Sequence, residues 1–158
     1  MTSPKESRAA RLISTWFGCG YAPAAPGTAG SLAGLAIGIA LHELAGFLWW
    51  HFVLLAAVAF APSVWAATRT ARALGVKDPG VVVVDEVIGQ WIALAGVPAW
   101  NWKSYLGAFL LFRLFDIWKP APVRQLEKLP DGLGIVADDV MAGLYAAVVL
   151  LAGGWLLK

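Results

Sequence analysis

Five carboxylates in this chain border uncharged, apolar runs: Asp85 and Glu86, Asp116, and Asp138 with Asp139. Gathered at one depth they would repel one another, so cations must balance them. Hard oxygen ligands of this kind suit Mg²⁺, which typically takes a few carboxylates, water and a substrate phosphate. The alternative is that each acid stands at a helix N-terminus, where the helix dipole favours negative charge. That alternative serves Asp85-Glu86 and Asp138-Asp139, which begin apolar runs, but it explains them less well as pairs. It does not serve Asp116, which falls near a helix end where a carboxylate is unfavourable. Metal binding is the preferred reading of the set, because ionisable residues in membrane segments are functional by default.

Asp116 belongs to the stretch Arg113-Leu114-Phe115-Asp116-Ile117-Trp118-Lys119-Pro120. Residues three apart share a helix face, so Arg113, Asp116 and Lys119 form one charged stripe. Pro120 disfavours helical geometry at the residue before it, which predicts a helix ending at about Lys119. Taken alone, the stripe also reads as an ion pair with a snorkelling lysine. Pro26-Gly27-Thr28-Ala29-Gly30-Ser31 precedes another apolar run. Its glycines would let the backbone approach an anion at a helix N-terminus, although a Gly-rich lead-in to a tightly packed helix is the commoner case. Gly132-Leu133-Gly134, ahead of Asp138-Asp139, reads similarly.

Absences narrow the chemistry. The only histidines are His42 and His51, both on the predicted outer side, which disfavours a phosphohistidine intermediate at the carboxylates. Six residues after Cys19 stands Ala25, so a Cys-x5-Arg phosphatase loop is missing, and no Asp-x-Asp occurs for an aspartyl-phosphate enzyme. Hydrolysis by water that a metal ion activates is what remains. The single cysteine excludes an internal disulfide and a multi-cysteine metal site, and reads as a small buried thiol.

The elements that must position these residues are membrane segments. The 158-residue chain is 59% hydrophobic and 14% charged, against about 25% charged in soluble domains. Nine tryptophans suit aromatic belts at two interfaces. A net charge of +2, with no basic run interleaved with aromatics, excludes a nucleic-acid partner. Length predicts one domain over 1–158, opened by a basic arm over 1–14 with Lys5, Arg8 and Arg11; no signal peptide is expected. Apolar runs cover Leu32–Leu41, Phe47–Ala67, Val87–Trp100, Tyr105–Phe115 and Val140–Leu157. Only the second and last clearly reach the roughly 17 residues a spanning helix needs. The four valines Val81–Val84 form either a short extended stretch or the lead-in to a helix. The fold class is therefore all-α, a small polytopic membrane helix bundle with four to five membrane segments, some short or re-entrant.

With the basic N-terminus in the cytoplasm and five crossings, the loops bearing Arg69, Arg72 and Lys77, and Lys119, Arg124 and Lys128, return to the cytoplasm. The outer loops carry only His42-Glu43 and Lys103. The Gly/Pro-rich stretch and all five carboxylates then share the cytoplasmic face.

Taken together, the motifs resemble the phosphatidylglycerophosphatase A family of bacterial membrane lipid phosphatases. The matching pieces are Gly20-Tyr21-Ala22-Pro23 with Pro26–Ser31, Val84-Asp85-Glu86-Val87-Ile88-Gly89, Phe112 to Pro120, and Gly132 to Gly143, in the family's order. The resemblance implies Mg²⁺-dependent removal of the terminal phosphate from phosphatidylglycerophosphate, giving phosphatidylglycerol, at the cytoplasmic side of the bacterial inner membrane. On that reading Asp85, Glu86, Asp116, Asp138 and Asp139 hold one or two Mg²⁺ ions. Arg113 and Lys119 neutralise phosphate oxygens, Gly27, Thr28 and Ser31 add donors, and Asp116 or Asp139 serves as general base. Two other classes compete. A small transporter or ion pathway would place its carboxylates at mid-bilayer. A structural subunit binding anionic lipid would leave the acidic pairs unexplained.

Overall fold

The computed structural model describes residues 7–156, all helical among those residues, with no strand. The helices are α1 (Arg8–Ser14), α2 (Pro26–Ala45), α3 (Trp49–Leu74), α4 (Val84–Leu94), α5 (Trp102–Trp118), α6 (Val123–Leu126) and α7 (Asp131–Leu156). Three of them, α2, α3 and α7, are long and apolar enough to cross a membrane. Against the four to five segments expected, three helices reach spanning length, and α4 and α5 are shorter.

Most differences from the expected elements have one cause: helices do not stop at a charge that finds a partner. The run Leu32–Leu41 grows into the 20-residue α2. Pro26 opens it, its φ already helical, and His42 and Glu43 stay inside its last turn. His42 Nδ1 donates to Phe47 O at 2.7 Å and its ring stacks on Trp100. Glu43 accepts from Tyr105 Oη at 3.2 Å. The segment Pro26–Ser31 is thus the first turns of the helix and not a loop before it. Likewise α3 continues past Ala67 to Leu74, where Arg72 pairs with Asp131 at 2.6 Å. Both α2 and α3 end on a glycine at φ 66°, Gly46 and Gly75, a left-handed cap that costs glycine least.

The last helix begins at Asp131, so Asp138 and Asp139 lie two turns inside it. N-terminal capping therefore does not account for that pair. The valines resolve as a helix lead-in, with Val83 as the cap residue of α4. The arm expected over 1–14 is in part helix α1, which buries Ala10 and Ser14 and sets Ser14 Oγ 2.8 Å from Thr70 Oγ1 on α3. Lys5 and the start of that arm lie outside the described residues. Cys19 is half-buried, not the buried thiol expected.

Helix α4 is the axis of the bundle. Nine of its eleven residues are buried, and α2, α3, α5 and α7 pack around it. Its tightest crossing is with α7. A Cβ on Gly143 would fall on Gly89 O, and one on Gly89 would fall on the Phe112 ring and Asp139 O. Trp91 Nε1 donates to Gly34 O at 3.1 Å and ties α4 to α2. The outer surface is apolar: Val58, Leu110, Val148 and Leu151 are all more than half exposed. Such a surface needs lipid around it. Exposed Trp49, Trp50 and Trp102 ring one end, and Phe17, Tyr21 and Trp118 the other, as interfacial aromatics do.

Candidate active site

The helices alternate in direction, so the starts of α2, α4 and α7 meet the end of α5 at one end of the bundle. They enclose a cavity of about 310 Å³. Six carboxylates and two cations line it: Asp78, Asp85, Glu86, Asp116, Asp138 and Asp139 against Arg113 and Lys119. With all ionised, six negative charges against two positive leave a formal surplus of four. A surplus of that size in a shielded cavity must be offset, by bound cations or by protonation of some of the acids.

The five carboxylates singled out in the sequence divide into two groups. Asp116 and Asp138 are engaged by cations. Arg113 Nη1 donates to Asp116 Oδ2 at 2.5 Å across the predicted i, i+3 spacing. Lys119 Nζ donates to Asp138 Oδ2 at 2.6 Å and reaches Glu127 at 3.5 Å. Burial works against the Lys119 charge, but Asp138, Glu127 and Asp139 outweigh it and hold the ammonium above its ordinary pKa. Lys119 takes a left-handed backbone, φ 50°, at the end of α5, where Pro120 terminates the helix as predicted.

The other group is Asp85, Glu86 and Asp139. One ligand oxygen from each lies within 4.8 Å of the others. Asp85 Oδ1, Glu86 Oε2 and Asp139 Oδ2 are buried and have no hydrogen-bond partner. Buried, unpaired carboxylate oxygens are costly, and three carboxylates this close together form a hard-oxygen donor set that fits Mg²⁺. The fold supplies this convergence. The Gly89–Gly143 crossing brings Asp139 against the first turn of α4. Gly27 matters as well, because a Cβ there would strike Glu86 Oε1. The first intrahelical bond of α2 runs from Ala29 N to Ala25 O, which leaves the Gly27 and Thr28 N–H groups ahead of it.

The side chains of Thr28 and Ser31 are not brought to the cavity; neither lines it. Ser31 Oγ donates back to Gly27 O at 3.0 Å. One acidic residue outside the sequence-derived set lines the cavity, and an unpartnered glutamine lies one turn further along α4. Asp78 lines the cavity from the loop before α4; its Asp78-Pro79-Gly80 motif reads only as a turn, though the same charge count placed that loop on the carboxylate side. Gln90 is fully buried, with neither side-chain polar atom partnered, one turn below Glu86. Inside an apolar run a lone glutamine carries no signal of its own.

The profile of the family described as Phosphatidylglycerophosphatase A matches residues 12–153. The chain belongs to the phosphatidylglycerophosphatase A family. It is a phosphoric monoester hydrolase built as a membrane helix bundle. Among family relatives, a Haemophilus influenzae protein named phosphatidylglycerophosphatase A is 43% identical, over 89% of this chain and 86% of its own length. An Escherichia coli protein of the same name is 37% identical, over 92% of this chain and 84% of its own. A Bacteroides thetaiotaomicron protein, provisionally named phosphatidylinositol-3-phosphatase, is 43% identical over 92% of this chain and 94% of its own. No solved structure matches the chain.

Proposed function

We propose that the protein hydrolyses the terminal phosphate of phosphatidylglycerophosphate to give phosphatidylglycerol, in a Mg²⁺-dependent reaction on the cytoplasmic side of the inner membrane. The observation that carries this reading is a set of three clustered carboxylates, each with one buried oxygen that lacks a partner, facing two cations in a cavity at one end of a lipid-exposed bundle. The family and the names of its relatives support the substrate.

Asp85, Glu86 and Asp139 would hold Mg²⁺. When bound, the ion neutralises phosphate charge and makes water a better nucleophile. The remaining work falls to the chain. Arg113, held in place by Asp116, presents its planar fork to phosphate oxygens. Lys119, held by Asp138, adds a point charge that persists at any physiological pH. The free N–H groups at the start of α2 supply neutral donors at a helix N-terminus. Asp116 accepts the proton of the attacking water as the new P–O bond forms. The lipid oxygen then leaves and takes a proton from solvent at the cavity mouth. The carboxylates cluster at one end, which disfavours a transport pathway through mid-bilayer.

Phosphate release by detergent-purified protein, with Mg²⁺ and then with excess EDTA, tests this. Release is expected only with Mg²⁺ and is expected to vanish in Asp85→Asn. Separately, Mg²⁺ should raise the Tm of the wild type and leave that of Asp139→Asn unmoved. Release that survives EDTA would sink the metal assignment. Turnover of phosphatidylinositol 3-phosphate in place of phosphatidylglycerophosphate would move the headgroup to the one named for the Bacteroides relative.

A further inference from the structure

A second, shallower cavity of about 430 Å³ adjoins the first, lined by Trp118, Lys119, Pro120, Ala121, Arg124 and Gln125. Lys119 lines both cavities. Their electrostatics are opposite. The first holds six carboxylates; the second holds two cations and no acid. Arg124 is exposed and makes no ion pair among the described residues.

The second cavity also has an apolar approach. Leu106, Leu110, Leu114 and Ile117 on α5 are 47%, 55%, 52% and 71% exposed. Spaced four, four and three residues apart, they form one stripe along the helix. The stripe ends at Trp118, 62% exposed, at the depth where interfacial tryptophans meet headgroups. A lipid with its acyl chains on this stripe presents its headgroup to Lys119 and Arg124.

Resting on the phosphatase reading above, phosphatidylglycerophosphate carries two phosphates: a diester next to the diacylglycerol and the terminal monoester. The monoester suits the first cavity, where a metal ion would offset the acids. The diester brings no such compensation and would be repelled there. We propose that the Trp118–Lys119–Arg124 cavity is a second anion subsite that takes a lipid phosphodiester, with Arg124 as its specificity-determining cation. Lys119 bridges the two subsites and sets the spacing at which a lipid with both groups is read.

The test compares wild type, Arg124→Gln and Arg124→Lys in neutral-detergent micelles. Arg124→Gln is expected to raise KM for phosphatidylglycerophosphate roughly tenfold with a much smaller change in kcat. Arg124→Lys should recover most of the loss, since the charge remains. If the subsite takes the substrate's own diester, the KM defect is present in micelles holding no other anionic lipid, and added phosphatidylglycerol competes. If it takes a neighbouring lipid, added phosphatidylglycerol stimulates the wild type, and the Arg124→Gln defect emerges only then. A second readout is independent of turnover: phosphatidylglycerol should raise the wild-type Tm and not that of Arg124→Gln. Identical KM, kcat and phosphatidylglycerol-induced Tm shift in wild type and Arg124→Gln would overturn the subsite. Absence of phosphate release from wild type, with the Arg124-dependent Tm shift intact, would overturn the phosphatase reading and leave the subsite standing.

Discussion

Asp138 and Asp139 are neighbours in sequence, and the Asp139 N–H donates to Asp138 Oδ1 at 3.0 Å, yet their carboxylates meet different partners. Consecutive helical residues point about 100° apart, so one carboxylate meets Lys119 and the other meets Asp85 and Glu86. A run of acids in the sequence does not disclose that division, because it depends on helix phase against three neighbours. Asp78 shows a different electrostatic position. Its carboxylate is pushed above the ordinary range by burial; Lys119 opposes this, and Glu127 and Asp116 reinforce it. The folded state therefore binds this proton more tightly than the unfolded state. Stability falls as pH rises from the ordinary carboxylate value through the raised one. In metal-free protein, Asp78→Asn is expected to raise Tm at neutral pH, with the gain fading as pH drops below the ordinary carboxylate range. Thermal melts across pH in EDTA check this, and a gain that grew toward acid pH would contradict the assigned sign.

At the scale of elements, the α4–α7 crossing controls the site. Gly143→Ala would drive a methyl group into the Gly89 carbonyl. A loss of about 1–3 kcal/mol is expected from overpacking, together with a fall in turnover as Asp139 moves from Asp85 and Glu86. Gly153→Ala in the same helix, with nothing within 4 Å of the new methyl, should leave activity and Tm close to wild type. Melting temperature and kcat for both variants decide the matter. The existence and order of the apolar helices were legible, because composition alone marks them. Their ends were not. A reading that stops each segment at its first charge cuts α2 at His42 and starts α7 at Val140. In the fold Trp100 and Tyr105 receive His42 and Glu43, and Lys119 receives Asp138, while Asp139 joins the α4 carboxylates in the cavity. The end of α5 was legible to within a residue, since Pro120 imposes it through backbone sterics and needs no tertiary partner.

For the whole molecule, the distribution of basic residues gives an expectation for orientation. Arg69, Arg72, Lys77, Lys119, Arg124 and Lys128 stand at or beyond the site ends of α3 and α5, while Lys103 stands at the opposite end. That asymmetry predicts a cytoplasmic site. The single, half-buried Cys19, in the turn between α1 and α2 at the site end, reports it directly. A membrane-impermeant maleimide is expected to label Cys19 in inside-out vesicles and not in intact spheroplasts; the reverse pattern would place the site outside. That the charged motifs converge was legible from alternation and charge. That the convergence is organised around an enclosed eleven-residue helix was not, since a short apolar run reads equally as an extended, a re-entrant or an enclosed segment.

That enclosure has a consequence for biogenesis. An eleven-residue helix is too short to be threaded across a bilayer on its own hydrophobicity. Its surroundings are completed by α7, which leaves the ribosome after α2, α3 and α5. Two of the three converging carboxylates ride on α4 and the third on α7. Until α7 inserts, the acids of α4 face an open groove, so on the proposed reading of the site a chain truncated before α7 is expected to lack hydrolytic activity.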